Sequence, residues 1–235
     1  MKFTELNVHS KLYKLNETTI LKVIENDTAV SNYRSFMQQK EIFDLFSQKP
    51  NSHIVQTSSP KVFGRWVYIT MKRVPFCLTE LINKLSEERL RFIMKQLVEI
   101  VQEFHKINFV NYNISTDNFL VDENDFVYIM NFGSGFYLNR QPFVFIQESS
   151  INWPSKAVYS LGLIFFHMLT GLSPYEMGYN GKNAIDIFLA NPSEFESCYT
   201  RYTDQDLLLD CICQSNDRPI DVNTLAEIYF NDEVF

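Results

Sequence analysis

The 235 residues carry a formal net charge of -7 and are 46% apolar, which allows a sizeable core in one long or two short domains. No block of Lys and Arg stands out, which sets aside a nucleic-acid surface. The longest apolar run, around 161–169, is broken by His167 and too short to span a bilayer. The polar start Met1-Lys2-Phe3-Thr4-Glu5-Leu6-Asn7 lacks the apolar centre of a signal peptide, so Cys77, Cys198, Cys211 and Cys213 read as reduced thiols of an intracellular protein, cytoplasmic or nuclear.

Two strand-like runs, 11–15 and 18–24, flank Asn16-Glu17 and predict a tight hairpin. From 30 to 46 the pattern turns helical, with Phe36, Ile42, Phe43, Leu45 and Phe46 on a loose apolar face. Ile54-Val55-Gln56 and Lys61-Val62-Phe63 read as strands, Gly64-Arg65 as a turn, and 66–71 as the strongest strand of this region. After Pro75 the character changes to a short helix over 78–85 and a long one with Ser86 as N-cap and acids in its first turn. Leu90, Ile93, Met94, Leu97, Ile100, Val101 and Phe104 recur at intervals of three and four, one continuous apolar stripe. The stretch 109–120 is irregular and rich in Asn, and 119–121 and 126–130 are short strands around the turn Asp122-Glu123-Asn124-Asp125. A very apolar helix is predicted over 156–170, followed by helices near 182–189, 203–213 and 222–230.

A sheet-rich part, a hinge, and a helical part with an inserted hairpin resemble the two lobes of a eukaryotic protein kinase. Thr19-Ile20-Leu21-Lys22-Val23-Ile24 resembles the strand carrying that family's phosphate-anchoring lysine, and Gln39-Lys40-Glu41-Ile42 the helix whose glutamate pairs with it. The run from Phe104-His105 to Asn118-Phe119-Leu120 resembles a helix end and catalytic loop. Asn131-Phe132-Gly133 stands in the place of the metal-binding Asp-Phe-Gly. Ala157-Val158-Tyr159-Ser160-Leu161-Gly162 resembles the start of the central helix, and Asn216-Asp217-Arg218-Pro219 the late arginine motif. The resemblance implies an α+β, two-lobed kinase-like fold: one domain over 1–235, with an N-lobe over 1–72 and a C-lobe over 73–235.

It also implies that the chemistry is missing. Phosphoryl transfer needs a cradle, an anchoring lysine, metal ligands and a carboxylate that orients the acceptor hydroxyl. The first glycine is Gly64, so the glycine-rich cradle is absent. The catalytic aspartate matches Asn113, whose neutral amide cannot accept the proton. The loop's histidine and arginine match Asn111 and Tyr112, its lysine matches Ser115, and the metal-binding aspartate matches Asn131. Asn118 is kept in the place of the second-metal ligand, with Asp117 beside it. Lys22 and Glu41 are expected as a structural ion pair or, with Asn118, as a residual nucleotide site. Leu45 and Phe132 are expected to pack between lobes, and Glu148 to reach Arg218 as the anchor of the segment after Gly133. The aspartate expected at the start of the central helix is Ala157.

Cys211-Ile212-Cys213 does not place both sulfurs on one helix face and has no partners for a metal, and Asp122–Asp125 is too short for a calcium loop. No metal and no cofactor is expected. The expectation is a catalytically silent kinase-like protein that binds, scaffolds or regulates a protein partner, such as an active kinase or a larger assembly, without ATP, nucleic acid or membrane. The alternatives are a divergent Ser/Thr kinase that uses Asp117 or Asp122, and a nucleotide sensor without turnover.

Overall fold

The computed structural model describes residues 3–7, 10–25, 31–46, 52–59, 61–111, 114–130, 135–138, 152–177, 181–198, 203–213 and 220–231. In chain order the first elements are β1 (Phe3–Asn7), β2 (Ser10–Lys14), β3 (Thr19–Glu25), α1 (Ser31–Phe46), β4 (Lys61–Phe63), β5 (Trp66–Lys72) and β6 (Phe76–Cys77). Then come α2 (Leu78–Leu81), α3 (Glu87–Lys106), β7 (Phe109–Val110), a 3-10 turn (Thr116–Asn118), β8 (Phe119–Val121), β9 (Val127–Ile129) and β10 (Phe136–Tyr137). The chain continues with α4 (Trp153–Thr170), α5 (Ala184–Ala190), a 3-10 segment (Pro192–Cys198), α6 (Thr203–Ile212) and α7 (Val222–Tyr229). Two compact units result: Met1–Cys77 with Phe119–Ser134, and Leu78–Asn118 with Gly135–Phe235.

The first unit is built on an antiparallel sheet in the order β1-β2-β3-β5-β4. Its centre is the β3–β5 ladder, in register from Thr19 opposite Lys72 to Glu25 opposite Trp66. The predicted hairpin around Asn16 forms, and the Asn16 side chain makes it tight by accepting from the Thr18 backbone N–H at 2.9 Å. β5 alternates strictly, with Val67, Ile69 and Met71 inward and their neighbours outward. Gly64, at φ +56, makes the β4–β5 turn.

A second, three-stranded ladder in the order β6-β8-β9 belongs to the same unit. Its turn is held by Asp122, whose Oδ1 accepts from the N–H groups of Asn124 and Phe126. Ile129 N–H donates to His53 O at 2.7 Å, so the 119–130 segment groups in space with residues far earlier in the chain. Several details depart from the sequence reading, among them the unforeseen β6 and β7 and the helix expected over 78–85, which spans only Leu78–Leu81. β1 was not expected, because its polar residues show no clean alternation. The 54–56 run forms one isolated bridge, Ile54 to Ile129, with another just beyond it, Thr57 to Met71, rather than a strand.

The second unit is helical. α3 has twenty residues, about 30 Å of helix. Ser86 caps it as predicted, its hydroxyl accepting from Arg89 N–H at 3.4 Å. The stripe from Ile93 to Phe104 is buried, and Leu90 at its start is only half-buried. α4 opens on Asn152, with Pro154 in its first turn, and closes on Gly171 at φ +73. A Cβ at Gly171 would lie 2.2 Å from Asn83 Oδ1. α4 and α6 approach so closely at Gly162 that a Cβ there would lie 2.6 Å from the Cys211 Cβ. Phe166, Phe188 and Phe195 form a ring cluster with centroids 5.4 to 5.8 Å apart. Asp204, 0% exposed, accepts from Arg91 Nη2 at 2.6 Å and ties α6 to α3. Cys211 is buried and Cys213 exposed, the opposite facing that their spacing implies.

Candidate functional site

In the first unit the candidate residues sit on β3 and α1. Lys22 lies mid-strand, opposite Leu12 of β2 and Ile69 of β5. It is half-buried, and burial holds its ammonium down to about 8. Glu41 is half-buried in the second half of α1. Ile42 and Phe46, four residues apart, carry the buried face of that helix, whereas Leu45 is 49% exposed. The packing role expected for Leu45 therefore finds no burial to support it. The β1–β2 hairpin, where the cradle would be, runs from Asn7 opposite Ser10 to Phe3 opposite Tyr13, with a bulge between Glu5 and Asn7.

In the second unit the loop after β7 is held by short polar contacts. Asn111 is buried directly after the strand. Asn118 is buried at the end of the 3-10 turn, its backbone N–H on Ser115 O at 3.0 Å and its Nδ2 on Ser115 Oγ at 3.2 Å. Asn118, expected as the second-metal ligand, thus bonds to Ser115, which stands in the place of the loop lysine. Thr79 Oγ1 lies 2.8 Å from Thr116 Oγ1 and donates to Asp117 Oδ1 at 2.7 Å, its single proton serving one partner at a time. Asp117 is thereby tied to the start of α2. Ala157, where the resemblance expects an aspartate, is buried and offers no polar atom. Gly135 packs against β7 so closely that a Cβ would lie 2.3 Å from the Phe109 ring and 2.6 Å from Val110 O. Tyr112, Asn113, Asn131, Phe132, Gly133, Glu148 and Arg218 lie outside the described residues.

The three histidines among the described residues show packing surroundings. His53 stacks on Phe126 at 4.5 Å, with Nδ1 2.7 Å from Val127 O. Burial holds the imidazoles of His105 and His167 below their usual range, opposed by Asp221 at the first and by Asp117 and Glu176 at the second. Among the described residues no three His, Cys, Asp or Glu side chains converge to hold a metal, and no helix is long and apolar enough to cross a membrane.

Residues 7–219 match the protein kinase domain family. The chain belongs to that family. Its β-rich first unit and helical second unit are the mixed α+β architecture of a kinase domain. The domain is 28% identical over 140 residues to a probable cell division protein kinase of Encephalitozoon cuniculi (strain GB-M1), covering 53% of this chain and 45% of that one. It is 24% identical over 143 residues to the probable serine/threonine-protein kinase ndrB of Dictyostelium discoideum, covering 56% of this chain and 26% of the relative. To the serine/threonine-protein kinase PSK2 of Saccharomyces cerevisiae it is 25% identical over 112 residues, 43% of this chain and 10% of the relative. The matched stretches span less than half the length of each of these relatives.

Sequence reasoning named the residues of the kinase motifs and missed the groups that restrain them. The Thr79 bond to Asp117 joins residues 38 positions apart, and nothing local in either segment announces it.

Proposed function

We propose that this kinase domain transfers no phosphate and acts as a binding or scaffolding module for a protein partner. The observation that carries the reading is the concerted change of the chemical positions. Asn113 stands for the carboxylate base, Asn131 for the metal-binding aspartate, Ser115 for the loop lysine, and no glycine precedes Gly64. A neutral amide cannot take the hydroxyl proton at position 113. Amides at 118 and 131 supply no charge for a divalent cation, and the Asn118 amide nitrogen is already directed at Ser115. These residues fit a magnesium-bound phosphate poorly.

The carboxylates at 117 and 122 are engaged in hydrogen bonds of their own. Asp117 accepts from Thr79, and Asp122 holds the β8–β9 turn while accepting from Tyr128 OH at 3.2 Å. That weighs against a divergent Ser/Thr kinase using either acid. A packed core survives loss of the chemistry, because packing asks only for complementary volumes. Function then belongs to the surface.

One observation favours a second reading, a nucleotide sensor without turnover. Lys22, held down to about 8, is still largely cationic at neutral pH, so an anion-binding group persists on β3. Calorimetry and thermal shift with ATP, with and without Mg²⁺, beside Lys22→Ala, separate the readings. The module reading predicts no nucleotide binding in a folded sample. Binding that Lys22→Ala abolishes, without turnover, establishes the sensor, and turnover overturns both.

A further inference from the structure

Outside the kinase motifs, the first unit holds a solvent-facing cavity of about 380 Å³ among α1, the 52–56 segment, the end of β5 and the β8–β9 hairpin. That volume falls in the range of small-molecule sites, roughly 300–1,000 Å³. Phe43, Phe126 and Tyr128 provide aromatic walls, and Lys72 and Gln56 the polar groups at the opening. Phe126 is braced from behind by the stacked His53 ring at 4.5 Å and meets the Tyr128 edge at 5.0 Å, so these walls are formed before any ligand arrives.

The Lys72 ammonium is oriented. Its Nζ sits 4.6 Å from the Tyr128 ring centroid and donates to the phenol oxygen at 3.0 Å. The phenol passes its own proton to Asp122 Oδ2 at 3.2 Å. This relay fixes the direction of the phenol proton, so the phenol oxygen accepts from Lys72, and it engages one of three ammonium protons. Two donors remain at the cavity mouth. Among the described residues the only charge in the lining is therefore positive, with an exposed amide at Gln56 and flat apolar surface behind.

We propose that this cavity is a second ligand site, separate from the kinase motifs, that takes a planar aromatic carboxylate. A cation would meet Lys72 with no carboxylate among the described lining residues to receive it. A neutral aromatic would leave the ammonium donors unused, and inorganic phosphate would make no use of the rings. An aromatic acid satisfies both halves: its carboxylate accepts from Lys72 and Gln56 while its ring lies among Phe43, Phe126 and Tyr128. The site is indifferent to whether the domain transfers phosphate.

The test titrates the full chain with naphthoate, with uncharged naphthylmethanol in parallel, following backbone amides by NMR. Naphthoate should give saturable shifts centred on Lys72, Phe126 and Tyr128. Lys72→Met, which keeps the stem, should weaken it by about tenfold or more, the worth of a charge-assisted hydrogen bond. Naphthylmethanol should be weaker than naphthoate by a similar factor. Gln56→Ala should cost about threefold, as for a neutral hydrogen bond. Each variant's own spectrum reports whether it is folded. Absence of saturable shifts at low-millimolar naphthoate, or equal affinity for naphthoate and naphthylmethanol, overturns the proposal. So does naphthoate binding unchanged in folded Lys72→Met.

Discussion

Replacing Lys22 by Met tests what the lysine of β3 contributes to the fold. Met keeps the length of the stem and removes the charge. Burial lowers the Lys22 ammonium from the ordinary value of 10.5 to about 8. A shift of that size corresponds to about 3 kcal/mol of preference for the neutral amine in the folded protein. The unfolded chain binds the extra proton throughout the window from 8 to 10.5, so stability rises with pH across it. The contribution is fully present above 10.5 and is lost as pH falls through 8. At neutral pH the charged lysine is therefore a cost to stability, and Lys22→Met should be more stable than the parent by about 2–3 kcal/mol. Urea unfolding of both proteins, repeated from neutral pH through the window, should show the gap closing as the parent gains stability. Tyrosines also titrate there, and comparing the two proteins cancels them. Parallel stability curves would refute the argument. So would a variant less stable at neutral pH, which would make Lys22 a net stabilising tie to the rest of the unit.

Three further outcomes are expected. Asp204→Asn, which leaves Arg91 with Glu87 as its charged partner, should cost about 1.5–3 kcal/mol in urea unfolding, and Arg91→Met with Asp204→Leu should recover part of that loss; a loss below the error of the measurement would show that the pair is dispensable. Gly171→Ala places a Cβ 2.2 Å from Asn83 Oδ1 at φ +73 and should cost at least about 1–2 kcal/mol, with Asn83→Ala relieving the steric part but not the backbone part; full recovery in the double variant would contradict the backbone argument. His105 has its Nε2 buried without a hydrogen-bond partner among the described residues and its imidazole held down by burial, so stability present above the unfolded value of 6.5 is lost as pH falls through the lower folded value. Thermal unfolding of His105→Leu should depend less on pH on the acid side than that of the parent, and equal slopes would place the acid sensitivity elsewhere.

The parts of the fold legible in sequence were those governed by local rules. The α3 stripe has a helical period and a capping serine, the β8–β9 turn has Asp122 to fold its own backbone, and β5 alternates between faces. What stayed hidden depends on distant residues. β1 pairs with β2 despite a mixed pattern, since a neighbouring strand supplies its ladder. Ile54-Val55-Gln56 looks like a strand because it is apolar and β-branched, yet it forms one isolated bridge, at Ile54. The same holds for the candidate site. The identities at 22, 41 and 118 could be read directly and matched the family resemblance, and those at 113, 115 and 131 marked the departures from it. The bond of Thr79 to Asp117 and the Lys72–Tyr128–Asp122 relay join segments far apart in the chain. Leu45 shows the limit of analogy in the other direction: its place in the motif pattern implied packing, and its side chain is half exposed.

The most direct test of the central claim is phosphate transfer from γ-labelled ATP, to the protein itself and to a general acceptor protein, with Mg²⁺ present and absent. The account predicts no transfer above that of Lys22→Ala run alongside, both samples folded by circular dichroism. Magnesium-dependent transfer that Lys22→Ala abolishes would contradict it and would make this domain an active kinase working without a carboxylate at position 113.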